Sequence, residues 1–161
     1  MTVRSAGLLL YRRGAGTDGT KVEVWIAHMG GPFWSRKDAR AWSIPKGEYL
    51  ENEDPLAAAR REFAEEMGTA APDADYFPLG AFRQPSGKVI TVFTAEADFA
   101  PDEIVSNTFA LQWPRGSGTV RNYPEVDDAR WTDESVARTK LVNGQLPILD
   151  ALMDHLAGTR S

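Results

Sequence analysis

The sequence predicts an α+β domain, or a layered α/β/α one, and three observations carry that expectation. Apolar runs of strand length recur along the chain, bounded by Gly, Pro and Asn or Asp. Two other stretches, one central and one near the end, follow helical spacing instead. The two kinds are interspersed rather than segregated, which is the pattern of layered folds. The 161 residues suit a single domain, 1–161, with a full core.

The elements follow in order. "SAGLLLYRR" reads as a strand from Ser5 to Arg12, buried in its middle. "GAGTDGT" is a turn. "KVEVWIAH", apolar at Val22, Val24 and Ile26, is the partner strand of a hairpin. Met29 to Trp42 is a polar loop carrying aromatics, and "SIP" is extended because Pro45 restricts the residue before it. The central helix starts with Asp54 as its cap and Pro55 in its first turn, and it stops at Gly68. "YFPLGAFRQ" and "KVITVFTAEAD" are strands around a turn at Pro85-Ser86-Gly87. A strand at Phe109–Trp113, a Gly/Ser loop and a short strand at Ala129–Trp131 come next. The last helix runs from Leu146 to Leu156, with Ile148, Leu149, Leu152 and Leu156 on one face.

Composition limits the function classes. With 42% hydrophobic and 25% charged residues, the chain is globular rather than disordered or fibrous. A net charge of −5 gives no general attraction to DNA or RNA, so a nucleic-acid partner is not expected. A small phosphorylated ligand bridged by metal stays open. The absence of cysteine excludes disulfides, thiolate metal sites and Cys nucleophiles, and fits a reducing compartment. The N-terminal apolar run is too short for a membrane span and no small-residue cleavage site follows it. A cytoplasmic protein with no signal peptide and no membrane partner is the expectation.

The central helix crowds three acids. On a helical wheel Leu56, Phe63 and Met67 fall together and face the core. Glu62, Glu65 and Glu66 fall on another side at i, i+3 and i+4, within reach of one point. Spacing alone leaves two readings. One is a solvated face with an Arg61–Glu65 ion pair, since exposed like charges cost only a few tenths of a kcal/mol. The other is a site for a hard cation, Mg²⁺ or Mn²⁺, because the donors are all oxygens.

A wider pattern surrounds those acids. Gly47 is followed after five residues by Glu53, and after seven more by Arg61-Glu62-Phe63-Ala64-Glu65-Glu66-Met67-Gly68. This resembles the Nudix box of the Nudix hydrolase family at every fixed charged and glycine position. The one departure is Thr69, where the family has an apolar residue expected to pack. The resemblance implies an α/β/α sandwich around a central mixed sheet, with the box forming a loop, a helix and a loop. It implies divalent metal, Mg²⁺ or Mn²⁺, bound by Glu62, Glu65 and Glu66. The carbonyl of Gly47 often adds a ligand, and Glu53 contributes directly or through water. Arg61 would pair with the box carboxylates and fix their geometry, and Glu62 or Glu65 would be the candidate base.

The family cleaves a nucleoside diphosphate linked to another group. A diphosphate bridge is polyanionic, so attack by water meets charge repulsion that metal ions relieve, while a carboxylate takes the water's proton. Diadenosine tetraphosphate hydrolases of the family carry a loop Glu six residues before a Trp, and Glu125 precedes Trp131 by the same interval. Asp127 and Asp128 are fallbacks. "SIPKGE" and "SAGLLLYRR" are similar to the box entry and first strand of the diadenosine-polyphosphate branch, which makes a small-molecule dinucleotide the leading substrate. Lys46 is a candidate phosphate contact, and Arg83, Gln84 and Lys88 surround the strand turn. Arg115 and Arg121 flank a Gly-Ser-Gly loop beside Glu125. Tyr123, Trp34 and Trp113 are candidates to stack on a base. The segments "GGPFWSRKDARAW" and "SNTFALQWPRGSG" depart from the compact diadenosine tetraphosphate hydrolases. Alternatives are a nucleoside triphosphate, a nucleotide sugar or an RNA 5′ end as substrate, or a nucleotide sensor without catalysis. His28 and His155 receive no role.

Overall fold

The computed structural model describes residues 4–13 and 21–158. The "GAGTDGT" turn lies outside the described residues. The elements are β1 (Arg4–Arg13), β2 (Val22–Met29), β3 (Trp42–Ser43), β4 (Lys46–Glu48), α1 (Pro55–Met67), β5 (Phe77–Arg83) and β6 (Val89–Glu96), then β7 (Thr108–Gln112), β8 (Val120–Pro124), β9 (Val126–Asp133), α2 (Glu134–Lys140) and α3 (Leu146–Gly158). One sheet runs β3-β2-β1-β6-β5, with β4 also on β1 and β9 also on β2. It is mixed: β1 and β6 are parallel, and the other pairings are antiparallel. β7 and β8 form a separate two-stranded hairpin.

The sheet is covered on both faces, and this explains the unbroken "LLL" of β1. Leu9 points into a core with α3, through Ile148, Leu149, Leu152 and Leu156. Leu8 and Leu10 point the other way, into a core with Ala58, Ala59, Phe63 and Met67 of α1. Side chains alternate across a strand, so a strand buried on both sides reads as continuous apolar sequence. The α/β/α layering expected from the sequence is what the chain adopts. Phe63 is fully buried, and its truncation to Ala would cost about 3–5 kcal/mol.

Both ends of α1 follow the predicted chemistry. The Asp54 carboxylate accepts from the Ala57 N–H at 2.9 Å, with Pro55 in the first turn. Gly68 closes the helix at φ 77°, donating its N–H to the Ala64 carbonyl. A Cβ there would stand 2.6 Å from the Val105 carbonyl oxygen, so the position is closed to larger residues by space as well as by backbone conformation.

Four details differ from the sequence expectation. A third helix, α2, is present; it is only 7 residues long and buries Ala137 alone, so it has no extended periodicity to detect. β4 and β8 were not foreseen, because strands of 3 and 5 residues with mostly polar side chains lack an alternating signal. β7 ends at Gln112 and leaves Trp113 outside it, and β9 spans Val126–Asp133 rather than its middle alone. Thr69 is exposed, so the polar residue at this box position sits in solvent and displaces no packing.

Candidate active site

The site is a corner where α1 lies against β4. β4 is held on β1 by the pairs Ser5↔Glu48, Ala6↔Gly47 and Gly7↔Lys46. The Lys46 backbone N–H donates to Glu66 Oε1 at 3.3 Å. Glu62 lies directly on Gly47: a Cβ on that glycine would be 1.9 Å from Glu62 Oε2. Only the missing side chain lets the carboxylate approach the strand backbone.

Arg61 ties the acids together. Its Nε donates to Glu53 Oε2 at 3.0 Å and its Nη2 to Glu53 Oε1 at 3.1 Å, a forked contact. Its Nη1 donates to Glu62 Oε1 at 2.8 Å and to Glu65 Oε1 at 3.3 Å. The Arg61–Glu65 pair of the solvated-face reading is thus present, as one part of a larger network. The Arg61 contacts hold the Glu53 carboxyl below its ordinary value, and the hydrogen bonds, Glu53 first, push Arg61 further up.

The electrostatics run the other way for the inner acids. Burial raises the Glu62 carboxyl against the pull of Arg61, with Glu65 and Glu125 adding repulsion. Burial raises Glu66 as well; Lys46 opposes this and Glu125 and Glu62 reinforce it. Burial lowers the Lys46 ammonium, whose neighbours are Glu66, Lys88, Glu48 and Glu62. So Glu62 and Glu66 lie in each other's field and in that of Glu125, and a cation placed among them would relieve the repulsion.

Glu125 joins the corner from β8–β9. Its N–H donates to the Asn107 carbonyl at 2.9 Å, and its carbonyl accepts from the Gly30 N–H at 2.9 Å. Its side chain is exposed and has neither a hydrogen bond nor an ion pair among the described residues. The fallback acids are engaged elsewhere: Asp127 with His28 and Asp128 with Arg130.

The substrate-contact candidates separate into groups. Lys46 and Lys88 lie at the acidic corner, with Lys88 Nζ 3.3 Å from Glu48 Oε1. Tyr123 is half-buried, faces Phe109 across the hairpin and sits near Glu125. Trp34 lies edge-on to Phe33 in the loop after β2, and Trp113 is exposed beyond β7. Arg83 is at the exposed end of β5, and Arg115 and Arg121 are exposed on the hairpin; no hydrogen bond or ion pair links these three to the carboxylates among the described residues. Gln84 ties the β5–β6 turn to the Gly144 carbonyl. His28, given no role from sequence, is hydrogen-bonded through both ring nitrogens, and His155 stacks on Phe77.

Among the described residues no three His, Asp or Glu side chains already converge as a metal cage. The donor set still fits a hard divalent ion. It is all oxygen, it repels itself, and the bare backbone at Gly47 leaves the Glu62 carboxylate against the strand.

The site thus sits on a mixed sheet between helices, with an acidic helix laid on a glycine of a short strand. The NUDIX domain model matches residues 1–152, and the chain belongs to that family. It is accordingly a Nudix hydrolase, a pyrophosphohydrolase. Solved structures of the same fold include a C. elegans Ap4A hydrolase binary complex, with a TM-score of 0.66 at 20% identity over 96% of this chain and 98% of that one. The NUDIX domain of Shewanella oneidensis NrtR complexed with ADP ribose gives 0.62 at 15% identity, over 97% and 89%. A Nudix hydrolase from M. Smegmatis, RenU, gives 0.58 at 25% identity, over 96% and 85%. No curated protein matches the sequence. No described helix is long and apolar enough to cross a membrane.

Proposed function

We propose that the chain hydrolyses a dinucleoside polyphosphate, with diadenosine polyphosphate the leading substrate, using Mg²⁺ or Mn²⁺ held by Glu62, Glu65 and Glu66. The carrying observation is the corner itself: Glu62 and Glu66 rest on the backbone of Lys46–Gly47, within the field of the free Glu125 carboxylate. The Gly47 carbonyl and Glu53 complete the candidate ligand set. The bound ion supplies neutralisation of phosphate oxygens and a more acidic water.

This chain's residues account for the rest. Arg61 holds Glu53, Glu62 and Glu65 in one network, which limits how far their carboxylates must move to meet an ion and its substrate. Lys46 and Lys88 bring positive charge to the polyphosphate. Of the candidate bases Glu62, Glu65 and Glu125, only Glu125 has its carboxylate unengaged, so it is assigned the proton of the attacking water. Water oxygen bonds to phosphorus, the bridging P–O bond breaks, and the tetraphosphate yields ATP and AMP. Tyr123, Arg115 and Arg83 are assigned to the distal parts of the substrate.

The likeness to the Ap4A hydrolase complex supports this substrate, as do the Glu125–Trp131 interval and the "SIPKGE" entry. ADP-ribose is the second reading, favoured by the likeness to the NrtR domain complexed with it. Retention of every box acid supports catalysis over a sensor. Product release from diadenosine tetraphosphate, nucleoside triphosphates, ADP-ribose and nucleotide sugars, with Mg²⁺ and then with EDTA, separates these. Metal-dependent ATP plus AMP is expected. Faster turnover of ADP-ribose would replace the substrate, and no turnover with intact metal binding would favour a sensor.

A further inference from the structure

His28 is a single histidine at the end of β2, on no motif, and it is buried. Its Nδ1 is 2.7 Å from Asp127 Oδ1 and its Nε2 is 2.6 Å from the Lys37 carbonyl oxygen. Both ring nitrogens lie within hydrogen-bond distance of an oxygen, so the ring bridges two separate segments of the chain. The ring also stands edge-on to Trp42 at 5.2 Å. Asp38, on the same loop as Lys37, accepts from Trp42 Nε1 at 3.0 Å and pairs with Lys140, while Arg130 of β9 lies over the Trp42 ring.

The two partners of His28 sit at revealing places. Pairing of β2 with β9 runs His28↔Asp128 and then Met29↔Val126, so Asp127 is the extra residue of a β-bulge. Bulges bend a strand and re-aim its side chains. The next backbone contact along is Gly30 N–H to the Glu125 carbonyl. Lys37 belongs to the loop that closes on β2 through the Met29 N–H to the Ala41 carbonyl. His28 therefore joins the loop after β2 to the bulge that launches Glu125 from β8 into β9.

We infer that His28 is a positioning residue: its two-sided clamp on Asp127 and Lys37 fixes the bulge and, through it, the direction of the Glu125 carboxylate. This rests on the assignment of Glu125 to the reaction. Gln or Asn at position 28 cannot reach both partners from one ring-like plane, so the bulge loses one anchor and Glu125 gains freedom. The effect belongs to kcat, since Lys46, Lys88 and the box acids are untouched.

The test is a double-mutant cycle on diadenosine tetraphosphate with Mg²⁺, using His28→Gln, Glu125→Gln and the pair, with the Tm of each variant. His28→Gln is expected to lower kcat about tenfold with KM within about twofold, and to add almost nothing in the Glu125→Gln background. If His28→Gln fails to fold, Asp127→Ala replaces it in the same cycle, since Asp127 is on the surface side of the clamp. Independent, multiplying losses overturn the clamp while leaving Glu125 in its role. Wild-type kcat in Glu125→Gln removes Glu125 from the reaction, and the inference falls with it.

Discussion

The α1–β4 corner and the β7–β8 hairpin border the same site and are built in opposite ways. At the corner each box acid has a fixed partner: Glu53, Glu62 and Glu65 on Arg61, and Glu66 on the Lys46 backbone. Behind it stand the fully buried Phe63 and Met67. The hairpin strands pair only with each other; β7 alternates between exposed and half-buried, and β8 is exposed except at Tyr123. It meets the loop after β2 through the Phe109 ring over Gly31, where a Cβ would be 2.8 Å from the ring, and through the Pro124 carbonyl against Gly30. Reaction chemistry needs carboxylates held to fractions of an ångström and is placed on packed elements. Recognition of the remainder of a substrate tolerates more movement, and loops and hairpins carry it.

Substitutions test that division. Glu66→Gln keeps shape and removes a charge at the centre of the corner; kcat is expected to fall about 10²- to 10³-fold with the fold intact by circular dichroism. Near-wild-type turnover at saturating Mg²⁺ would take Glu66 out of the site. Gly47→Ala drives a methyl into the Glu62 carboxylate, and displacement of that group should cost about 10²-fold in kcat. Tyr123→Ala on the hairpin is expected to raise KM for diadenosine tetraphosphate about fivefold or more and leave kcat nearly unchanged, the scale of one lost base stack. A fall in kcat alone would merge the two regions. The smallest effect concerns Asp38, held below its ordinary value by hydrogen bonds from Lys140 and then Trp42. A carboxyl depressed in the folded state stabilises above its unfolded value, and that contribution is lost as pH falls through the folded one. The unfolding free energy of the wild type should therefore drop more than that of Asp38→Asn between about pH 6 and pH 3, by less than about 1 kcal/mol for so exposed a pair, as read by denaturant unfolding.

The corner was legible because its rules are local. Asp54, Pro55 and Gly68 mark the helix ends, the apolar wheel finds Phe63 and Met67, and the spacing of Glu62, Glu65 and Glu66 follows from one turn of helix. What it could not reveal is where Arg61 divides its donors, or that Gly47 lies beneath Glu62, since both depend on how β4 seats on β1. The hairpin was half legible: Phe109–Trp113 shows alternation, while Val120–Pro124 ends in a proline and carries Arg and Asn. His28 gave no signal at all. Its partners lie on a loop and on a bulge distant in sequence, and a bulge leaves no mark in hydrophobic periodicity.

The parallel pairing of β1 with β6 has a consequence for synthesis. Leu8 of the first strand is matched to Phe93, so the edge that β6 will occupy stays open until most of the domain has been made. At about 5–20 residues per second, the "LLL" run waits on the order of several seconds beside the ribosome with one side unpaired. Nascent chains halted before Val89 would leave that strand edge unpaired, and Leu9 stays uncovered until α3 has been made as well. The residues least exposed in the finished enzyme are thus the ones most in need of shelter during its birth.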